Sequence, residues 1–156
     1  MNIFYLDEDP WICAMSMVDK HVVKMILESA QLLSSALVTN SIEAPYKLTH
    51  KNHPSAIWTR QSIHHYDWLL EHLKALCYEF FYRYDKIHKT ESLINIFLDK
   101  RNELKNRIGS KDFVNPPLAM PEVFQIGDTI SSYRYYYKSG KKHLHDWKRR
   151  SKPSWI

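Results

Sequence analysis

The chain has 156 residues, one domain's worth by length, with 44% hydrophobic and 25% charged residues. That composition excludes a long disordered tail and a fibrous repeat. The three glycines, Gly109, Gly127 and Gly140, lie too far apart for a G-x-G-x-x-G or P-loop phosphate cradle. The net charge of +5 is uneven: Arg134 to Lys152 sets eight basic residues against Asp146 alone, a local +7 that leaves the remainder at −2. Such a segment, interleaved with Tyr and Trp, points to an anionic partner, DNA or a nucleotide.

Ile3 to Leu6 reads as strand-like, the one such segment. Asp9-Pro10 then signals a helix start, with Asp as N-cap and Pro at the first helical position. A helical pattern runs from about Pro10 to Leu37, apolar round most of its circumference and so expected at the centre of the fold. Its one polar stripe, His21, Lys24, Glu28, Gln31 and Ser35, advances in steps of three or four and shares a face. Such a stripe is either an internal hydrogen-bond network or the wall of a cleft. Pro45 to His53 is a loop rich in Lys and His. Pro54 opens a second long helix to about Tyr84, whose first half carries Arg60, His64, Asp67 and Glu71 on one side. Thr90 to Arg107 is a third helix. Asn115 to Pro121 is a stiff extended connector. Asp128 caps a fourth helix to about Lys142, and a basic, aromatic tail follows from His143.

The expected fold is therefore all-α, a single domain over residues 1–156 with about four helices around the buried first one. Cys13 and Cys77 sit in apolar runs and read as reduced core residues. With no signal-peptide pattern and no apolar run near ~18 residues, the expectation is a cytoplasmic protein without a membrane partner, in the host cell if phage-encoded.

For chemistry, His50-x-x-His53 and His64-His65 lack a joining Cys and do not make a metal pattern, so no metal or cofactor is expected. No Ser sits on a sharp glycine turn with a base in reach. Glu28 is different. An acid on an apolar helix needs a cation, and Lys24 lies one turn before it, with His21 completing the row. The row offers an acid/base, a cation and a proton shuttle, or else a structural Lys24–Glu28 pair.

The spacing Asp19-Lys20-His21, then six residues, then Glu28, resembles the first helix of the phage pyrimidine-dimer DNA glycosylase/AP lyase family. The ending Lys152-Pro153-Ser154-Trp155 is similar to that family's last segment. Lys47 to Pro54 and Ser132-Tyr133-Arg134-x-Tyr136-Tyr137 also resemble a group of tailed-phage proteins. The resemblance implies a small all-helical domain whose N-terminal α-amine attacks C1′ of a damaged nucleotide, expels the base, forms an imine and cleaves the strand by β-elimination. In that scheme the Glu stabilises the cationic intermediate and assists proton transfer. This chain departs from the pattern in three ways. Asn2 stands where the family has the Thr exposed by Met removal, and its side chain disfavours that removal. The start lies five residues further from His21. Leu27 and Gln31 replace two arginines.

The expected catalytic residues are Glu28, His21, Met1 and Lys24. Met1 is favoured as nucleophile over Lys24 and Lys20, since an α-amine ordinarily titrates near 8 while a lysine must be shifted by several units. Expected substrate contacts are His50, His53, Arg60, His64, Tyr133, Arg134, Lys141, Lys142, Trp147, Lys148, Arg149, Arg150 and Trp155. A DNA glycosylase/AP lyase is the first functional reading. A phage enzyme acting on a free nucleotide or nucleobase derivative, and a non-catalytic nucleic-acid-binding module, are the alternatives.

Overall fold

The computed structural model describes residues 1–156 and is all-helical. There are six helices: α1 (Pro10–Ser16), α2 (Asp19–Thr39), α3 (Pro54–Gln61), α4 (Ile63–Tyr84), α5 (Ile94–Ile108) and α6 (Thr129–Tyr135). The expected class holds, but the count of about four does not, because the two long patterns are each broken once. The first break is at Met17-Val18, both in extended backbone, with no glycine or proline to mark it. The Arg83 side chain from α4 explains it: its guanidinium donates to Met15 O (3.0 Å), Met17 O (2.8 Å) and Asp19 (2.8 Å), taking up carbonyls that a helix end leaves open. The second break is at Ser62, whose hydroxyl accepts from His64 N and donates to Lys111 O, a standard N-cap with a second bond to a distant loop.

α2 packs across α4, which also carries α1, and α3 packs against both α2 and α4. By length and composition α2 would suffice to cross a membrane, yet 67% of its apolar window is buried within the protein, as a core helix requires. Cys13 and Cys77 are free and buried in this core. The third helix starts as a 3₁₀ turn, Lys89–Leu93, before α5. After α6 the expected helix loosens into a π turn (Tyr136–Gly140) and a 3₁₀ turn (Lys142–Leu144).

Ile3 to Leu6 is not a strand. It is buried and irregular, and the backbone groups of Phe4 and Leu6 are satisfied by side chains rather than by a neighbouring strand. Arg134 Nε donates to Leu6 O at 2.8 Å, Cys13 Sγ to Phe4 O at 3.3 Å, and Leu6 N–H to Cys13 Sγ at 3.3 Å. Side-chain partners of this kind let an irregular segment lie buried in an all-helical fold.

Candidate active site

Glu28 lies midway along α2 and is 8% exposed. Its Oε2 accepts the Asn2 N–H at 3.0 Å and lies 3.7 Å from the Met1 α-amine, while Oε1 pairs with Lys24 Nζ at 3.2 Å. The Lys24 side chain is 67% exposed, so it forms the solvent side of the cluster. The Met1 side chain, in contrast, is 3% exposed and packs against the core, so the terminal residue belongs to the fold. An α-amine and a flexible lysine thus share one carboxylate.

The first four residues are fixed by an unusual turn. Phe4 has φ +55°, a left-handed conformation costing roughly 1–3 kcal/mol for a bulky residue unless its surroundings determine it. They do. The Phe4 ring stacks on His21 at 4.2 Å and 19°, and meets Tyr137 and Tyr133 edge-on. His21 Nδ1 in turn hydrogen-bonds the Tyr137 hydroxyl. Burial, then the charges of Lys141 and Lys24, push the His21 pKa down to about 3, so it is neutral at pH 7. The imidazole therefore braces the aromatic wall beneath the N-terminal turn, and its contacts are with Phe4 and Tyr137.

The loop before α3 forms the facing wall. Ser35 Oγ on α2 donates to Thr49 O at 3.1 Å, which pins the loop across the helix. Arg60 donates to Lys51 O at 2.8 Å and closes the loop from α3. His53 caps α3 through Nδ1, accepting from Ser55 N at 3.1 Å. Its pKa is lowered by burial, then by the charges of the N-terminus and His50, with Glu28 acting in the opposite sense. His53 thus faces the amine–carboxylate pair electrostatically. His50, at φ +48°, is held by Thr49 and lies beside it.

Lys141 lies over the Tyr136 ring at 4.9 Å and the Phe4 ring at 6.0 Å, with no carboxylate partner. It is the cation that the C-terminal half brings to this turn. Of the other expected contacts, Tyr133 joins this turn and the rest serve elsewhere. His64 is exposed at the start of α4, and it is its neighbour His65 that is buried, stacked on Trp58 at 4.6 Å. Tyr133 is buried and bonded to Asn2. Arg134 bonds Leu6 O and Asp7 and lies over Trp155. Trp147 donates to Ser16 O at 3.0 Å, and the Lys148 backbone N–H to Asp19. Arg149 pairs with Asp85, and Arg150 with Glu79. The tail is therefore clamped onto α4 by its own arginines, leaving Lys138, Lys141, Lys142, Lys148 and Lys152 without carboxylate partners.

Sequence reasoning missed Asn2, Phe4 and Tyr137 as builders of the site. An Asn able to bond its own backbone two residues on was the available signal for the first; the other two depend on contacts across more than a hundred residues. A family model for pyrimidine dimer DNA glycosylase matches residues 1–92, the stretch that carries Met1, Glu28 and the His50–His53 loop. No curated protein and no solved structure matches the chain.

Proposed function

Because the chain belongs to the pyrimidine dimer DNA glycosylase family, we propose that it removes a damaged or modified base from DNA through an amine intermediate and then cleaves the strand as an AP lyase. One observation carries this reading: the Met1 α-amine and the Asn2 N–H both sit on the Glu28 carboxylate, at 3.7 and 3.0 Å. In the proposed step the amine nitrogen forms a bond to C1′ as the glycosidic bond breaks. The bonding pair leaves with the base, which takes up a proton. The sugar ring opens to an imine, and loss of a C2′ proton expels the 3′ phosphate. A carboxylate touching the amine stabilises the positive charge on that nitrogen and accepts its proton, roles worth ~10² or more in rate.

Lys24 is the less suitable nucleophile, since its side chain is 67% exposed and a lysine becomes a nucleophile at neutral pH when burial lowers its pKa. If Met1 were removed, the new α-amine on Asn2 would lie on the same carboxylate oxygen, so the chemistry survives either terminus. Lys24 on the carboxylate and Lys141 over the Phe4 ring bring positive charge suited to the flanking phosphates. A slot of about 330 Å³ between Pro54, which follows His53 in the chain, Trp58, Asn115 and Pro117 has room for a displaced base.

The test is borohydride trapping on DNA with a defined abasic site, followed by digestion and mass spectrometry. The expected result is a covalent adduct on the N-terminal peptide. A label on Lys24 or Lys20, or full activity in a variant extended before Met1, removes the terminal amine. No adduct at high protein concentration removes the lyase.

A further inference from the structure

Asn2 uses every polar atom of its side chain. Oδ1 accepts the backbone N–H groups of Ile3 (2.7 Å) and Phe4 (3.1 Å), and Nδ2 donates to Ala119 O at 2.7 Å. Tyr133 completes the arrangement from α6. Its hydroxyl accepts from Ala119 N at 3.2 Å and shares its single proton between Pro117 O (2.9 Å) and Asn2 Oδ1 (3.0 Å). The local bonds fold residues 2–4 into a turn that carries Phe4 into its left-handed conformation, and the distant bonds fix that turn to the proline connector.

We propose that Asn2, held by Tyr133 and the Pro117–Ala119 connector, is the positioning residue that aims the N-terminal amine at Glu28. The inference rests on the amine-based reading above and concerns what places the nucleophile. A chain terminus is ordinarily the most mobile part of a domain, and a nucleophile on a free terminus would spend little time on one carboxylate oxygen. Here the Asn2 backbone N–H donates to Glu28 while its side chain faces the opposite way into the connector, so one residue joins both sides of the site. Burial pushes the Tyr133 pKa up to about 12, which keeps its phenol a donor through the neutral range. The connector itself is stiffened by Pro116, Pro117 and Pro121, which suits it as a fixed anchor. Asn at position 2 is thereby explained: a shorter side chain cannot span from Phe4 N to Ala119 O, and an apolar one offers neither acceptor nor donor.

The test compares wild type with Asn2→Leu, Asn2→Asp and Tyr133→Phe, each checked by intact mass for retention of Met1. Asn2→Leu removes all the side-chain bonds. Asn2→Asp keeps the Oδ acceptor for Ile3 N and Phe4 N but turns the donor to Ala119 O into a carboxylate oxygen that repels that carbonyl. The expected result is a single-turnover trapping rate about 10²-fold lower in Asn2→Leu, the scale of an ångström of misplacement, with DNA affinity unchanged. Asn2→Asp, which aims a carboxylate oxygen at the Ala119 carbonyl, should also fall, and Tyr133→Phe should fall in the same direction yet add little on top of Asn2→Leu. A rate per folded molecule that is unchanged in both Asn2→Leu and Tyr133→Phe overturns the proposal. So does a loss that follows DNA affinity rather than the chemical step.

If wild type gives no adduct at all, the amine-based reading fails, and the clamp is then judged without DNA. Reductive methylation with ¹³C-formaldehyde places a reporter on the terminal amine. A wild-type resonance distinct from that of a free peptide, moving to the free-peptide position in Asn2→Leu, supports the positioning role. The same resonance in both proteins overturns it.

Discussion

Glu28→Gln separates catalysis from structure because the two readings of this residue predict different magnitudes. The amide keeps the shape and, with Oε1 turned to Asn2 N, the 3.0 Å hydrogen bond. What it loses is charge. The ion pair to Lys24 is solvent-facing, the lysine side chain being 67% exposed, and such i,i+4 pairs are worth only a few tenths of a kcal/mol. The contact with the Met1 amine is more sheltered and adds on the order of 1 kcal/mol. The summed loss of about 1–2 kcal/mol lowers Tm by about 2–8 °C for a chain of this size, so the variant remains folded at 25 °C. The chemical step should instead fall by ~10² or more, because the carboxylate no longer neutralises a cationic intermediate or accepts a proton. Single-turnover trapping on abasic DNA, normalised to folded protein by circular dichroism, reads both quantities. Activity per folded molecule equal to wild type, together with lost stability, would refute the catalytic assignment and leave Glu28 as a buried partner for two amines.

Three further outcomes follow from the packing. Arg83→Leu deprives the buried Glu79 of one of its two cations and leaves the Met15 and Met17 carbonyls open, so it should destabilise by about 3–5 kcal/mol and lower Tm by about 6–20 °C in a thermal melt; a shift under 3 °C contradicts the role given to this network. Burial holds His21 neutral down to about pH 3 and His72 down to about pH 4, whereas both protonate near 6.5 once unfolded. The unfolded chain therefore binds the extra protons: stability from these groups is complete above pH 6.5 and is lost as pH falls towards 4, at up to about 1.4 kcal/mol per pH unit for each histidine. Urea unfolding at pH 7, 6 and 5 measures this, and an unchanged stability over that range would contradict it. Neutralising Lys141 and Lys142 should flatten the salt dependence of DNA affinity by about two units of slope at ~0.9 per phosphate, while neutralising Arg149 and Arg150 should flatten it by less, since Asp85 and Glu79 occupy those guanidinium groups; the reverse ranking in a salt titration would show the tail arginines facing DNA.

The all-helical class, the central position of α2 and the Glu28 stripe were legible in the sequence, because apolar residues at a 3.6 period dictate which helix face is buried wherever it packs. Pairing of Lys24 with Glu28 was legible for the same local reason: one helical turn separates them. The break between α1 and α2 was not, since nothing between Ser16 and Asp19 forbids helix and the group that stabilises the break is Arg83, 66 positions from Met17. Nor was the fate of the basic tail. Counting charges gave +7, but only the folded chain shows that Arg134, Arg149 and Arg150 spend theirs on Asp7, Asp85 and Glu79. The placement of the amine was the least legible feature. Local sequence offers an Asn near a terminus, whereas the aim of that terminus depends on Tyr133 and Ala119, each more than a hundred residues away. Periodicity encodes what a segment turns inward, and that is a property of neighbours in the chain; which carboxylate meets which cation, and where a terminus is tied, depends on groups that become neighbours only when the core closes.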